Sequence, residues 1–279
     1  TYFEGRMVDS EIAEFGRSKE KRNDAKLIVL AMVVNEQGFI KYSGIFEGNT
    51  ADSKTIEKII DDLSKSTSSL DRKPIIVMDA GISSKANLAL IKNKGYDYIC
   101  VSRSGMSKYT IDPSTVAVSI KDKKDQEIKL QIASVKGCSD QYIEVHSKTK
   151  ALKEKSMNKQ FKDRFENGLQ QIQASLTKPR GIKTPQKVSE RLGRLKQKYT
   201  SVSKYYEIKQ DIQEDKVKAI TWQIRPLPVI EGKYLLRTSL KKIDEKLQWT
   251  IYNTIREIES TFRTLKTDLD LRPIYHKTD

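Results

Sequence analysis

Asp79 closes the apolar stretch "KPIIVMDAG", and Glu259 lies far downstream in "YNTIREIESTFRTLK", residues 252–266. A carboxylate at a strand end and another on a facing helix can be fixed close together. Paired acidic oxygens of that kind hold hard divalent cations, which phosphoryl transfer to or from DNA requires. At about 100° per residue, a helix over 252–266 places Tyr252, Arg256, Glu259, Arg263 and Lys266 within a sector of roughly 80°. Ile251, Ile255, Ile258, Phe262 and Leu265 form a second stripe about 100° away. One stripe can pack on a core while the other faces a cleft, where a lone glutamate among cations suits a metal held beside phosphates. Each carboxylate also has a plainer reading. Asp79 can be the N-cap of the helix that follows it, and Glu259 can pair with Arg256 or Arg263 along the helix surface.

The elements that must position these groups are legible in outline. Residues 27–34 and 39–46 read as two strands joined by the turn "NEQG". Asn49, Thr50 and Asp52 offer caps for a helix marked by Ile56, Ile59, Ile60 and Leu63. "KPIIVMDAG" is a short buried strand, "SSKANLALIKNKG" a capped helix closed by Gly95, and "YDYICVS" another strand. Strand, helix and strand with short connections make a parallel unit. After Ser102, "STVAVSI", "EIKLQIASV" and "QYIEVHS" alternate like half-buried antiparallel strands. Phe161, Phe165, Leu169, Ile172 and Leu176 then mark one helix, and Val188, Leu192, Leu195, Tyr199 and Val202 a second. "TKPRGIKTPQ" breaks the chain between them, with Thr184 and Pro185 placed to start the second helix. Strands resume at "YYEIK" and "VKAITWQI", and "EGKYLLRTSL" leads back to the late helix.

Composition narrows the chemistry. The 279 residues suffice for one large domain or a core carrying an insertion. Cys100, Cys138, His146 and His276 are the whole complement of cysteine and histidine. A disulfide framework, a Cys/His zinc site and a histidine-activated nucleophile are therefore not expected, and any metal would be oxygen-bound. The longest apolar run, "LIVLAMVV", has eight residues, far short of the roughly 20 that span a bilayer. No secretory signal opens the chain, so a cytoplasmic location without membrane attachment is expected. The net charge of +15 calls for a polyanionic partner. It is concentrated between Lys148 and Lys204, with sixteen Lys and Arg against four Asp and Glu. A solvated helical surface would explain that run; nucleic-acid backbone is the favoured partner. Arg191, Arg194 and Lys198 share one side of the second helix of this basic hairpin.

"FEGNTADSKTI", "IIVMDAGISSKANLALI", "EGKYLLRTSL" and "YNTIREIESTFRTLKTDLDLRPIYH" together resemble a DDE-type insertion-sequence transposase. More narrowly the chain resembles insertion sequence family four, whose signature is Y-x2-R-x3-E-x6-K. Tyr252, Glu259 and Lys266 match that spacing; Ile255 stands at the arginine's place and Arg256 follows it. The resemblance implies an α/β fold: an RNase H-like core, a mixed sheet flanked by helices, interrupted by a mostly β insertion carrying the basic hairpin. The expected divisions are 1–102 for the first part of the core, 103–230 for the insertion and 231–279 for the return. It further implies catalytic, metal-holding roles for Asp79 and Glu259, two Mg2+ or Mn2+ ions, and phosphate contacts from Tyr252, Arg256, Arg263 and Lys266. Transposon-end and target DNA would be the partners, bound by a homodimer in a prokaryotic cytoplasm. Trp222 is either the tryptophan that stacks a displaced base or a core residue. The family's first catalytic Asp would fall just upstream of Thr1, with Glu4 as an alternative, so the chain reads as a fragment. The activity implied is DNA cleavage and strand transfer. A DNA-binding remnant unable to cut, or another RNase H-like nuclease, would share the basic hairpin.

Overall fold

A computed structural model describes residues 2–4, 7–17, 23–71, 73–103, 109–122, 124–226, 231–241, 243–270 and 273–275. Strands β1 (Ile28–Val34) and β2 (Ile40–Glu47) form an antiparallel hairpin. Its turn is built by Asn35, whose side-chain oxygen accepts the N–H groups of Gln37 and Phe39 at 3.2 and 2.9 Å. A 3-10 turn over Asp52–Lys54 leads into α1 (Ile56–Ser66), which buries Ile56, Ile59 and Ile60 on one face. Next come β3 (Ile76–Met78), α2 (Lys85–Asn93) and β4 (Tyr98–Val101), with β3 and β4 parallel and Met78 opposite Cys100. Gly95 closes α2 at φ +78°, a left-handed conformation that glycine adopts without strain. Ile60, Met78, Leu88, Ile91, Tyr96 and Tyr98 make the shared core. Full burial of an aliphatic side chain such as Leu88 or Ile91 is worth about 1.5–3 kcal/mol.

The chain continues through β5 (Tyr109–Ile111), β6 (Val118–Lys121), β7 (Glu127–Val135) and β8 (Gln141–Ser147). Helices α3 (Lys148–Thr177), α4 (Pro185–Lys198) and α5 (Thr200–Ser203) follow, then the hairpin of β9 (Tyr206–Gln213) and β10 (Lys216–Ile224). Finally β11 (Lys233–Thr238) precedes α6 (Glu245–Asn253), α7 (Ile255–Arg263) and a π turn over Thr264–Asp268. A seven-stranded sheet runs β3-β4-β11-β8-β7-β5, with β6 also on β7. It is mixed, because β3–β4 is parallel and β4–β11 antiparallel. The strands written "STVAVSI" to "QYIEVHS" thus lie in one sheet with β3, β4 and β11, a pairing that alternation alone does not specify.

Two compact units emerge: Thr1–Ile120 with Lys129–Val145 and Tyr234–Asp279, and Lys121–Ile128 with His146–Lys233. In the second, α3 lays Phe165, Leu169, Ile172 and Leu176 against Val188 and Leu192 of α4 and Val217 and Ile220 of β10. Gly168 permits the close approach of α3 and α4, since a Cβ there would stand 2.5 Å from a methyl of Leu195. In the first, Asp140 is the buried hub, its side chain 1% exposed. Its carboxylate accepts hydrogen bonds from the Tyr98 hydroxyl at 2.5 Å, from Arg237 Nε at 2.6 Å and from the Lys92 ammonium. Burial pushes its pKa up, but these bonds outweigh burial and hold it down at about 2.

The late helix departs from expectation. A single helix over 252–266 is predicted, but α6 ends at Asn253, α7 begins at Ile255, and Thr264–Asp268 widens into a π turn. Thr254 keeps helical angles while its N–H and its hydroxyl both bond the Ile251 carbonyl, at 3.2 and 2.7 Å. That tightens one turn, and a hydroxyl bonded back to a preceding carbonyl bends a helix. Among the described residues, no helix is long and apolar enough to cross a membrane.

Candidate active site

Asp79 follows directly on β3, exposed, with its Oδ1 accepting the Ala80 N–H at 2.7 Å. It does not cap α2. That role belongs to Ser84, whose hydroxyl accepts the Asn87 N–H at 3.2 Å. The loop behind Asp79 is held carbonyl by carbonyl. Arg103 donates from Nε to the Ala80 carbonyl at 2.5 Å and from a terminal nitrogen to that of Gly81. The Ser83 hydroxyl bridges the Ala80 and Val101 carbonyls at 3.2 Å each. Asn87 Nδ2 reaches the Ile82 carbonyl at 2.7 Å and that of Ser53 at 2.9 Å. Three successive carbonyls are spent on side chains, so the carboxylate stands on a fixed base.

Tyr252 lies near the end of α6, its ring 6.5 Å from that of Tyr234 on β11. Burial raises the Tyr252 pKa most, and Tyr234, Asp79, Glu259 and Cys100 raise it further through their charge. One phenol therefore feels both carboxylates, so Asp79 and Glu259, far apart in sequence, both lie in the neighbourhood of Tyr252. Glu259 is exposed on α7 and makes no ion pair with Arg256 or Arg263, so the plainer reading of that glutamate does not hold. Arg256 joins the same neighbourhood. Burial raises the Tyr234 pKa, and a hydrogen bond from Trp249 and the Arg256 charge pull against it. Arg256, one residue beyond the signature's arginine place, therefore lies near Tyr234. Arg263 is exposed on α7, and the Lys266 ammonium sits 5.5 Å from the Phe262 ring.

Tyr234 is the residue that the sequence did not single out. It lies in "EGKYLLRTSL", but a tyrosine on a buried strand carries no local mark of its neighbours. Among the described residues no three His, Cys, Asp or Glu side chains group as metal ligands. Glu4, exposed, donates its backbone N–H to the Ile274 carbonyl at 2.9 Å and is in no such group. Two carboxylates nevertheless fit a hard divalent cation, because Mg2+ commonly takes one or two protein carboxylates and completes its shell with water and substrate phosphates.

A family model described as a transposase DDE domain matches residues 4–279. The chain belongs to the DDE transposase family. No curated protein matches it. Membership makes DNA the partner of this transposase and places its chemistry in the transposase and nuclease class. In its second compact unit, Trp222 sits on β10, half-buried against the core. Arg191 is half-buried and donates to the Ser175 hydroxyl of α3 at 2.9 Å, while Arg194 is exposed and paired with Glu190. Lys198 is exposed, its ammonium 5.6 Å from the Tyr199 ring.

Proposed function

We propose that this DDE transposase cuts and joins DNA strands at a site built on Asp79 and Glu259, in the manner of insertion sequence family four. The reading is carried by the neighbourhood of Tyr252, half-buried near the end of α6 with its ring 6.5 Å from that of Tyr234 and with the charges of both Asp79 and Glu259 acting on it. Asp79 and Glu259 would hold Mg2+ or Mn2+, two ions in the full site, which supply charge neutralisation and a more acidic attacking oxygen. The reaction served is in-line attack on a phosphodiester, first by water and then by a DNA 3′-hydroxyl, with no covalent protein intermediate. Tyr252 keeps its proton because its pKa is raised, so it acts as a neutral hydrogen-bond donor to a phosphate oxygen. Arg256, Arg263 and Lys266 add positive charge for the same strand, Arg263 and Lys266 through the exposed end of the late helix. The Arg103, Ser83 and Asn87 bonds keep Asp79 in register with Glu259.

Within this reading the core is RNase H-like, spanning 1–102 and 231–279, and 103–230 is the insertion. The basic hairpin of α3 and α4 carries DNA, and Trp222 serves the insertion's core, in keeping with its packing. The protein works in the cytoplasm as a homodimer on transposon ends and target. Asp79→Ala or Glu259→Gln should abolish Mg2+-dependent cleavage of duplex DNA while leaving DNA affinity within a few-fold of the wild type. Cleavage near the wild-type rate in both variants would refute the assignment. Firm DNA binding with no cleavage by the wild-type chain would favour the non-cutting remnant.

A further inference from the structure

In the second compact unit, the α3–α4 connection and the start of β10 line a solvent-open cavity of about 640 Å3. Lys183, Lys216 and Lys218 line it together with the Thr177 and Thr184 hydroxyl-bearing side chains, and no carboxylate does. Among the described residues, none of the three lysines makes an ion pair. Their arrangement is not left to loose loops, because the Val217 N–H bonds the Lys183 carbonyl at 2.8 Å and so joins the two lysine-bearing segments. On the α3 side the connection is equally constrained. The Gly181 N–H bonds the Lys178 carbonyl at 3.0 Å, and a Cβ at Gly181 would lie only 1.8 Å from the Ser175 carbonyl oxygen. The acidic residues next in sequence are not among the lining: Glu214 and Asp215 form the β9–β10 turn that leads into Lys216, and Glu190 pairs with Arg194.

Three ammonium groups around one cavity repel one another in the free protein, and an anion placed among them reverses the sign of that interaction. The start of α4 adds to the same field. Thr184 precedes Pro185 without capping the helix, and the first turn contains no acidic residue. We infer that this cavity binds backbone phosphate of duplex DNA, making a contact separate from Arg191, Arg194 and Lys198 further along α4. The inference rests on DNA being the partner of this transposase. It names a place on the protein that the DNA reading alone does not.

The test measures binding of a fluorescently labelled duplex of arbitrary sequence across a series of KCl concentrations. Each phosphate contact contributes about −0.9 to the slope of log K against log salt. The combined variant Lys183→Gln, Lys216→Gln and Lys218→Gln should flatten that slope by roughly two to three. Removing the same charge from the first unit, with Lys41→Gln, Lys54→Gln and Lys85→Gln, should change it by less than about one. Thr184→Asp separates binding from folding. An N-cap aspartate favours α4, so the thermal midpoint should hold or rise, while the added negative charge should weaken DNA binding several-fold. An unchanged slope in the cavity variant, or equal flattening in both triple variants, would overturn the inference. Inorganic phosphate that raises the wild-type midpoint but not that of the cavity variant, with DNA binding unaltered, would assign the cavity to free phosphate and overturn the DNA contact. A wild-type chain that binds no duplex at all would instead bring down the DNA reading itself.

Discussion

Replacing Asp140 by asparagine probes the hub that ties α2, β4 and β11 together. The folded carboxyl titrates at about 2, against 3.8 for the free side chain. That difference of about two pH units corresponds to roughly 2–3 kcal/mol of stability at neutral pH. The depressed pKa means that the unfolded chain takes up the proton first as pH falls. The stabilisation is therefore complete well above pH 4 and is lost progressively on going down through about pH 2. The substitution Asp140→Asn would also leave Lys92 and Arg237 without their carboxylate. Their side chains are 39% and 20% exposed, so the ammonium can turn to water more readily than the guanidinium. Breaking a buried pair costs roughly 3–5 kcal/mol, and the exposure of Lys92 argues for the lower end, about 3 kcal/mol at pH 7. The two compact units need not unfold together, so the assay must watch the first alone. Trp249, 7% exposed in α6, reports that unit once Trp222 is replaced by Phe. Urea unfolding followed by Trp249 fluorescence should show the wild-type and Asp140→Asn curves converging between pH 5 and pH 2. A loss under about 1 kcal/mol at pH 7, or one that persists undiminished at pH 2, would refute the hub argument.

Arg103→Gln should lower the DNA cleavage rate about 10-fold or more with little change in DNA affinity, because it releases the Ala80 and Gly81 carbonyls and loosens Asp79. Arg103→Lys, able to keep one of the two bonds, should recover part of the rate; equal rates in all three proteins would remove Arg103 from that role. Replacing Arg194 and Lys198 should flatten the salt dependence of DNA binding by roughly one to two, whereas Arg191→Ala, which loses its bond to Ser175, should chiefly lower stability. A salt slope indifferent to Arg194 and Lys198 would mean that this face of α4 is merely solvated.

Much of the local architecture was legible because burial imprints a period on each element. Ile56, Ile59 and Ile60 marked α1, and Phe165, Leu169, Ile172 and Leu176 marked α3, since each set faces one core. Thr184 and Pro185 marked the start of α4 because an extended residue before a fixed φ opens a helix. The break at Thr254 was not legible. The stripe keeps its period across residues 251–266, while at Thr254 both the N–H and the hydroxyl turn to the Ile251 carbonyl where the ladder breaks. Nor could residue type choose between readings of Asp79, since an aspartate before a helix suits a cap; Ser84 decided that by taking the cap itself.

Residue types and their order established the ingredients of the chemistry: oxygen donors without a Cys/His site, a tyrosine and cations beside a lone glutamate, and a charge balance suited to DNA. The family, too, is carried by stretches kept in order along the chain. Packing in three dimensions was needed to show that Asp79 and Glu259 act on the same Tyr252 and that Tyr234 and Arg256 stand beside it. It was needed equally to show that β5 to β8 share a sheet with β3, β4 and β11. Periodicity is a property of one segment against any apolar surface. Which strand pairs with which, and which distant carboxylates act on one tyrosine, depends on the packing of the whole chain at once.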